Sequence, residues 1–294
     1  MKRKRIAAAL LALAVMLTLA GCGSFAGRMA RAVKKMEKVE SYRVDLSLDT
    51  ALNITVLGRE MPLDLAVNAT GDVNTKPARS RLELTTSLLG ERGRLLAYTE
   101  RTGEDYTLYL SPDGSGIWTK QTLDIEEPDT KTGLAGILKL ASGFEKTGVE
   151  SVRGSEATVF AGSFSGEELD RAVALSDTVE GLLEALELEE GELTLEDCGS
   201  VPVTVAIDNK SGLVTRCTLD LTELMQGLMP KLMDAVMAET AEQLGLESMD
   251  LSRLGFALDI GRVFVTAELY DFDAAATVEI PAEALAAPEG ELGL

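Results

Sequence analysis

The sequence predicts an α+β chain built on one large, curved antiparallel sheet with a single apolar face. Three observations carry that expectation. Between Tyr42 and Val73 the apolar residues fall on every second position, the period of a half-buried strand. Shorter runs of the same kind recur as far as Ile280, with turn residues between several of them. Among them stand a few stretches whose apolar residues return at helical spacing and need a surface to cover them.

The chain opens on Lys2, Arg3, Lys4 and Arg5, continues with an apolar core from Ile6 to Leu19, and reaches Leu19-Ala20-Gly21-Cys22. That core is short for a membrane span, and small residues before a cysteine make a cleavage site. The segment resembles a bacterial lipoprotein signal with its lipobox. The resemblance implies that residues 1–21 are removed and that Cys22, the first mature residue, carries a diacylglyceryl group. An ordinary signal peptide or a short membrane anchor is the alternative. Gly23 follows the cysteine, so in a cell with two membranes the resemblance implies no inner-membrane retention signal.

Loss of the leader leaves 294 − 21 = 273 residues, enough to bury a sizeable core. It also removes four of 28 basic residues against 48 acidic ones, so the net charge falls from −20 to −24. Such a body repels nucleic acid and anionic lipid, and no nucleic-acid partner is expected. A hydrophobic content of 46% excludes a disordered chain.

Taken in order, Phe25 to Glu40 reads as a short amphipathic helix, with Phe25, Met29, Met36 and Val39 on one stripe. Arg28, Arg31, Lys34, Lys35 and Lys38 lie elsewhere on it; they read as a solvated basic face, with contact to anionic headgroups a secondary effect. Tyr42, Val44, Leu46, Leu48, Leu52, Ile54 and Val56 then form the apolar side of a first strand, and Met61, Leu63, Leu65, Val67 and Ala69 that of a second. Gly58 fits the first central position of a type II′ turn, and pairing Val56 with Met61 sets Ile54 by Leu63 and Leu48 by Ala69. Further strands follow around Leu82–Leu88, Arg94–Thr99 and Tyr106–Leu110, with a turn at Pro112-Asp113-Gly114-Ser115-Gly116. The single Trp118 reads as a core cap.

Thr132 to Lys146 has Leu134, Ile137, Leu138, Leu140, Ala141 and Phe144 at helical spacing, apolar over much of its girth, so it should lie against the concave side of the sheet. Strands at Gly148–Val152 and Glu156–Ser163, a helical stretch from Ser165 and an acidic run to Glu196 come next. Val201–Ile207 and Leu213–Leu221 form a second hairpin about Asp208-Asn209-Lys210-Ser211-Gly212. Cys217 falls on its apolar row and Cys198 precedes it; an extracytoplasmic address permits a disulfide between them, and a buried free thiol is the other reading. From Leu221 to Leu246, Met225, Met229, Met233 and Met237 recur every four residues. Such a soft stripe either lines a pocket for an acyl chain or is plain core. Gly255–Ala267 and Tyr270–Ile280 give the last strands.

The helix running into a long strand through Met36-Glu37-Lys38-Val39-Glu40-Ser41-Tyr42, the Val203–Asp208 hairpin and the closing Tyr270-Asp271-Phe272-Asp273 before Ile280-Pro281-Ala282-Glu283-Ala284 resemble the lipoprotein superfamily around LolA, LolB and LprG/LppX. It resembles in particular the lipoproteins of Gram-positive bacteria in that group. The resemblance implies an unclosed antiparallel half-barrel over several helices, spanning residues 42–286 between the lipidated N-terminus (22–41) and a flexible tail (287–294). It also implies a lipid or acylated ligand held between sheet and helices.

Chemistry is constrained by composition. Without a histidine there is no Ser-His-Asp triad, no Cys-His dyad and no His-ligated metal, and no Gly-rich phosphate loop occurs. We therefore expect no catalytic residues, no cofactor and no metal. The expected protein is a lipoprotein on the extracytoplasmic face of the cell membrane, tethered by Cys22, with a hydrophobic ligand in a cavity lined by Met225, Met229, Met233, Met237, Leu138 and Phe144. The alternative is a structural or sensory lipoprotein that acts through a protein partner.

Overall fold

The alternation that begins at Tyr42 becomes the middle of the structure. The computed structural model describes residues 25–56, 58–103, 105–124, 143–165, 168, 195, 197–231 and 257–290. In it β1 (Ser41–Val56) pairs antiparallel with β2 (Arg59–Thr75), setting Ile54 beside Met61, Leu52 beside Leu63 and Leu48 beside Val67. This register is displaced by two residues from the predicted one. The cause is the loop: Val56 pairs with Arg59, so Gly58, at φ 77°, takes the second loop position and not the first. Because side chains alternate with period two, the displacement leaves every apolar residue on its predicted face.

β3 (Ala78–Leu88), β4 (Glu91–Thr102), β5 (Asp105–Pro112) and β6 (Thr119–Asp124) continue outward from β2 as a meander. A second meander contains β7 (Glu145–Val152), β8 (Ser155–Ser165), β9 (Ser200–Asp208) and β10 (Val214–Asp220). β11 (Ala257–Tyr270) pairs with β10 on one side and β1 on the other, making one eleven-stranded sheet in the order β6-β5-β4-β3-β2-β1-β11-β10-β9-β8-β7. The edge strands β6 and β7 do not pair with each other, so the half-barrel is open. Glu145 and Lys146, read from the sequence as the end of a helix, belong to β7.

Two bulges keep the apolar residues on one side. β1 pairs Ala51 with Arg262 but Leu52 with Ile260, which leaves Gly261 as the extra residue and brings Ile260 onto the face of Val263 and Val265. Thr215 is the extra residue between β9 and β10, and it aligns Val214 with Cys217 and Leu219 in the same way. Without these insertions the period of two would turn half of each strand's apolar set to the wrong face.

The two faces have different covers. α1 (Phe25–Met36) lies on the apolar face over β8, β9 and β10: Phe25 and Ala32 are buried, and Phe25 and Met29 pack with Phe160, Val203, Val205 and Ile207. A second helix, α2 (222–231), starts where the Asp220 carboxylate accepts the Thr222 N–H at 3.0 Å, and its Leu224 joins the same cluster. On the opposite face the chain after β11 runs back over β2, β4 and β5. The Asn74 side chain donates to the Ala276 carbonyl at 3.1 Å and accepts from the Val278 N–H at 2.6 Å. Val278 and Ala284, in α3 (Ala282–Leu285), bury against Tyr98 and Tyr109, with Trp118 and Ile280 alongside. Ala287 is buried and the Gly290 N–H donates to the Lys120 carbonyl at 3.0 Å, so residues 287–290 are held against β6.

The β7–β8 hairpin curls back over that same polar face. Arg153, at its turn, donates to Glu268 on β11 at 2.8 Å, meets Asp45 on β1, and lays its guanidinium 3.8 Å from the Tyr270 ring. Arg216 on β10 meets Glu150 on β7. These contacts span several strands, which only a strongly curved sheet allows.

Candidate functional site

Registers place one nearly unbroken apolar surface along the sheet. Across β10, β11, β1, β2, β3 and β4 the neighbouring rows read Cys217, Ala267, Leu46, Ala69, Leu84, Leu95, and Leu219, Val265, Leu48, Val67, Thr86, Gly93. Where α1 covers this face it is a tight core. Phe160 is 2% exposed, Val203 4%, and the Phe25 ring stacks on Phe144 with centroids 4.4 Å apart. Away from α1 the same surface is less enclosed: Leu46 is 38% exposed and Leu88 41%, while Leu48, Leu52, Leu63, Leu65 and Val67 are half-buried. Apart from Thr50, whose hydroxyl donates to the Leu65 carbonyl at 3.1 Å, Thr86 and Cys217, the side chains named on this surface are purely apolar.

Of the residues singled out from the sequence, Met225 and Met229 lie half-buried on α2. Phe144 is buried and packed between Phe25 and Phe164, whose ring centroid is 5.5 Å away. Gly162 makes room for it, since a Cβ there would stand 2.5 Å from the Phe144 ring. Phe144 and α2 therefore meet in one cluster under α1. Cys22, Leu138, Met233 and Met237 lie outside the described residues. Cys198 and Cys217 are not joined in a disulfide. Cys217 pairs with Val205, seven positions along the chain from Cys198, and Cys198 packs on α2, where a Cβ at Gly227 would stand 2.6 Å from its Cα. Burial pushes the Cys217 thiol up, which keeps it protonated and unreactive.

Sequence reasoning missed the aromatic pairing that fastens α1. Phe25 meets Phe144 and Phe160 from far along the chain, and no local pattern announces such a contact. The basic residues of α1 are partly engaged: Arg28 lies over the Phe160 ring at 5.7 Å and Lys35 donates to the Ser211 carbonyl in the β9–β10 turn. A polar groove of about 460 Å³ lies among Asn68, Thr85, Ser87, Arg92, Arg94 and Asp113, unsuited to an acyl chain. Among the described residues no cluster of acidic or cysteine side chains is arranged to hold a metal, and no helix is long and apolar enough to cross a membrane.

Together these features define an open, single-sheet half-barrel with one continuous apolar face and an opposite face that is polar between two smaller buried clusters, around Tyr98 and around Val159. No family model matches the chain, and no curated protein matches it. Solved structures do. The lipoprotein LppX of Mycobacterium tuberculosis is 14% identical, covering 86% of this chain and 97% of its own, at a TM-score of 0.40. LprF from Mycobacterium bovis is 13% identical, covering 88% and 96%, also at 0.40. A β-barrel-like protein of unknown function from Brucella abortus is 9% identical, covering 79% and 96%, at 0.25.

Proposed function

We propose that this protein is a non-enzymatic lipoprotein, tethered through Cys22 to the extracytoplasmic face of the cell membrane, that binds a lipid or other hydrophobic molecule on the apolar face of its sheet. The observation that carries the reading is the change in burial along one continuous apolar surface. Under α1 Phe160, Val203, Val205 and Ile207 are 2–5% exposed, whereas Leu46 and Leu88 on the same surface remain 38% and 41% exposed. Leaving leucines half in water forgoes roughly 1 kcal/mol or more apiece, which an apolar ligand would recover. The lipobox supplies the membrane address, and Met225 and Met229 on α2 supply adaptable side chains beside the face.

A displacement titration with a fluorescent polyunsaturated fatty acid tests the ligand class. The wild-type protein should bind the probe, and a charge at Met229 (M229D) should weaken binding by roughly tenfold or more, with the fold retained by circular dichroism. Failure of the delipidated wild-type protein to bind the probe would turn the assignment toward the partner-binding alternative.

A further inference from the structure

The two ends of the sheet differ in chemistry. At the end where β1 starts, the hairpin tips hold Lys76-Pro77, Gly103 and Arg153-Gly154, and β9 turns into β10 through Asn209-Lys210-Ser211-Gly212. Three of these turns carry a charged residue, Lys76, Arg153 and Lys210. At the opposite, far end Gly58 stands between paired Val56 and Arg59, Leu89-Gly90 joins paired Leu88 to Glu91, and Ile117 lies in the β5–β6 connection. Leu89 is 70% exposed, Ile117 72%, Met61 50% and Leu88 41%; among the described residues, no large apolar side chain is exposed at the near-end tips.

Leu89 is also held against its preference. It sits at φ 53° and Gly90 at φ 84°, the pair of left-handed positions that a two-residue type I′ turn requires and that Asn-Gly fills most cheaply. A leucine in that conformation, pointing into solvent, is unfavourable both for the backbone and for hydration. The folded chain gains nothing from it that Asn would not give.

α1 shows which way the anchor leaves. Its first residue, Phe25, stacks on Phe144, which leads into β7 at the far end, while Lys35 near its last turn reaches Ser211 at the near end. The helix thus runs from the far end toward the near end. Two residues separate Phe25 from Cys22, so three chain steps give a reach of at most about 10 Å.

We propose that the far-end rim, formed by Leu88, Leu89 and Ile117 with Met61 on the projecting β1–β2 hairpin, rests in the headgroup layer of the membrane to which Cys22 is anchored. This inference rests on the lipoprotein reading above. It fixes the orientation of the molecule: strands stand on the bilayer, and the half-open apolar face begins at the lipid surface. The two-residue tips are spaced two strands apart, about 10 Å, so several can touch one surface together.

The test uses the full-length, membrane-purified protein in phosphatidylcholine–phosphatidylglycerol vesicles, with an environment-sensitive fluorophore on Leu89→Cys, on Ile117→Cys or on Lys76→Cys at the near end, and the unsubstituted protein as background. Quenching by spin-labelled lipid should be roughly fivefold stronger at 89 and 117 than at 76. Water-like emission at 89 and 117, or equal quenching at 76, would overturn the orientation. Detergent phase partition and the mass of the N-terminal peptide, measured on the same sample, separate the two claims. Lipid on Cys22 with unquenched probes sinks the docking proposal alone, whereas an unmodified Cys22 sinks the lipoprotein reading and the docking with it.

Discussion

Truncating Phe25 to alanine tests how α1 is held. Phe25 is 5% exposed, with the Phe144 ring stacked at 4.4 Å and 11° and the Phe160 ring tilted at 5.3 Å. Removing a buried phenylalanine costs about 3–5 kcal/mol, and each aromatic pair adds about 0.5–1.5 kcal/mol beyond its area. Phe25 opens its helix, so the vacated space borders a chain end that can relax; the lower figure, about 3 kcal/mol, is expected. A twelve-residue helix has little stability of its own, so the loss falls on the docking of α1. For a chain of this size about 3 kcal/mol lowers Tm by roughly 6–12 °C. The assay is thermal unfolding by circular dichroism, with amide exchange over residues 25–36 to localise the effect. A loss below about 1 kcal/mol, or exchange unchanged in α1, would refute the packing argument.

Three further outcomes follow from the same structure. Gly71→Ala on β2 places a Cβ 1.8 Å from the Arg81 carbonyl oxygen, a backbone atom that cannot turn aside; more than about 3 kcal/mol of stability should be lost, and a near-normal Tm would show that the strands part easily. At Asp208, burial pushes the carboxyl pKa up, but hydrogen bonds from the Ser155 hydroxyl at 2.6 Å, the Ser211 N–H and hydroxyl, and the Lys210 N–H outweigh it and hold the group below its ordinary value. Its folded pKa lies below the unfolded one of about 3.9, so its contribution is complete above that pH and is lost as pH falls through the folded value; Asp208→Asn should flatten the acid limb of stability against pH, and superimposable limbs would contradict the assignment. Arg153→Ala removes two ion pairs and the Tyr270 contact from a side chain that is 37% exposed, so solvent screening limits the cost to about 1 kcal/mol; Arg153→Lys should recover little, because only the fork engages Asp45 and Glu268 together, and full recovery would deny the fork its role.

What was legible in the sequence is what has a local period. The apolar face could be read from Tyr42 to Ala69 because a one-sided sheet repeats every two residues, and for the same reason its register could not: shifts of two residues look alike until the loop chooses. The turn at Asp208 was legible from its residue types. Asp72 and Asn74 lie on the side of β2 away from its apolar row, yet both are 9% exposed, since the segment after β11 folds over them and bonds through Ala276 and Val278. That contact joins residues about two hundred positions apart, and no window of sequence contains it. The candidate site divides in the same way. The methionines on α2 follow from spacing, while the Phe25–Phe144–Phe160 stack exists only in the folded chain.

Native mass spectrometry of the protein secreted with Cys22→Ser and purified without detergent, before and after organic extraction, tests the central claim most directly. The account predicts a mass above that of the polypeptide, lost on extraction into a lipid-sized species and restored by incubation with membrane extract. A bare polypeptide mass that membrane extract leaves unchanged would contradict it.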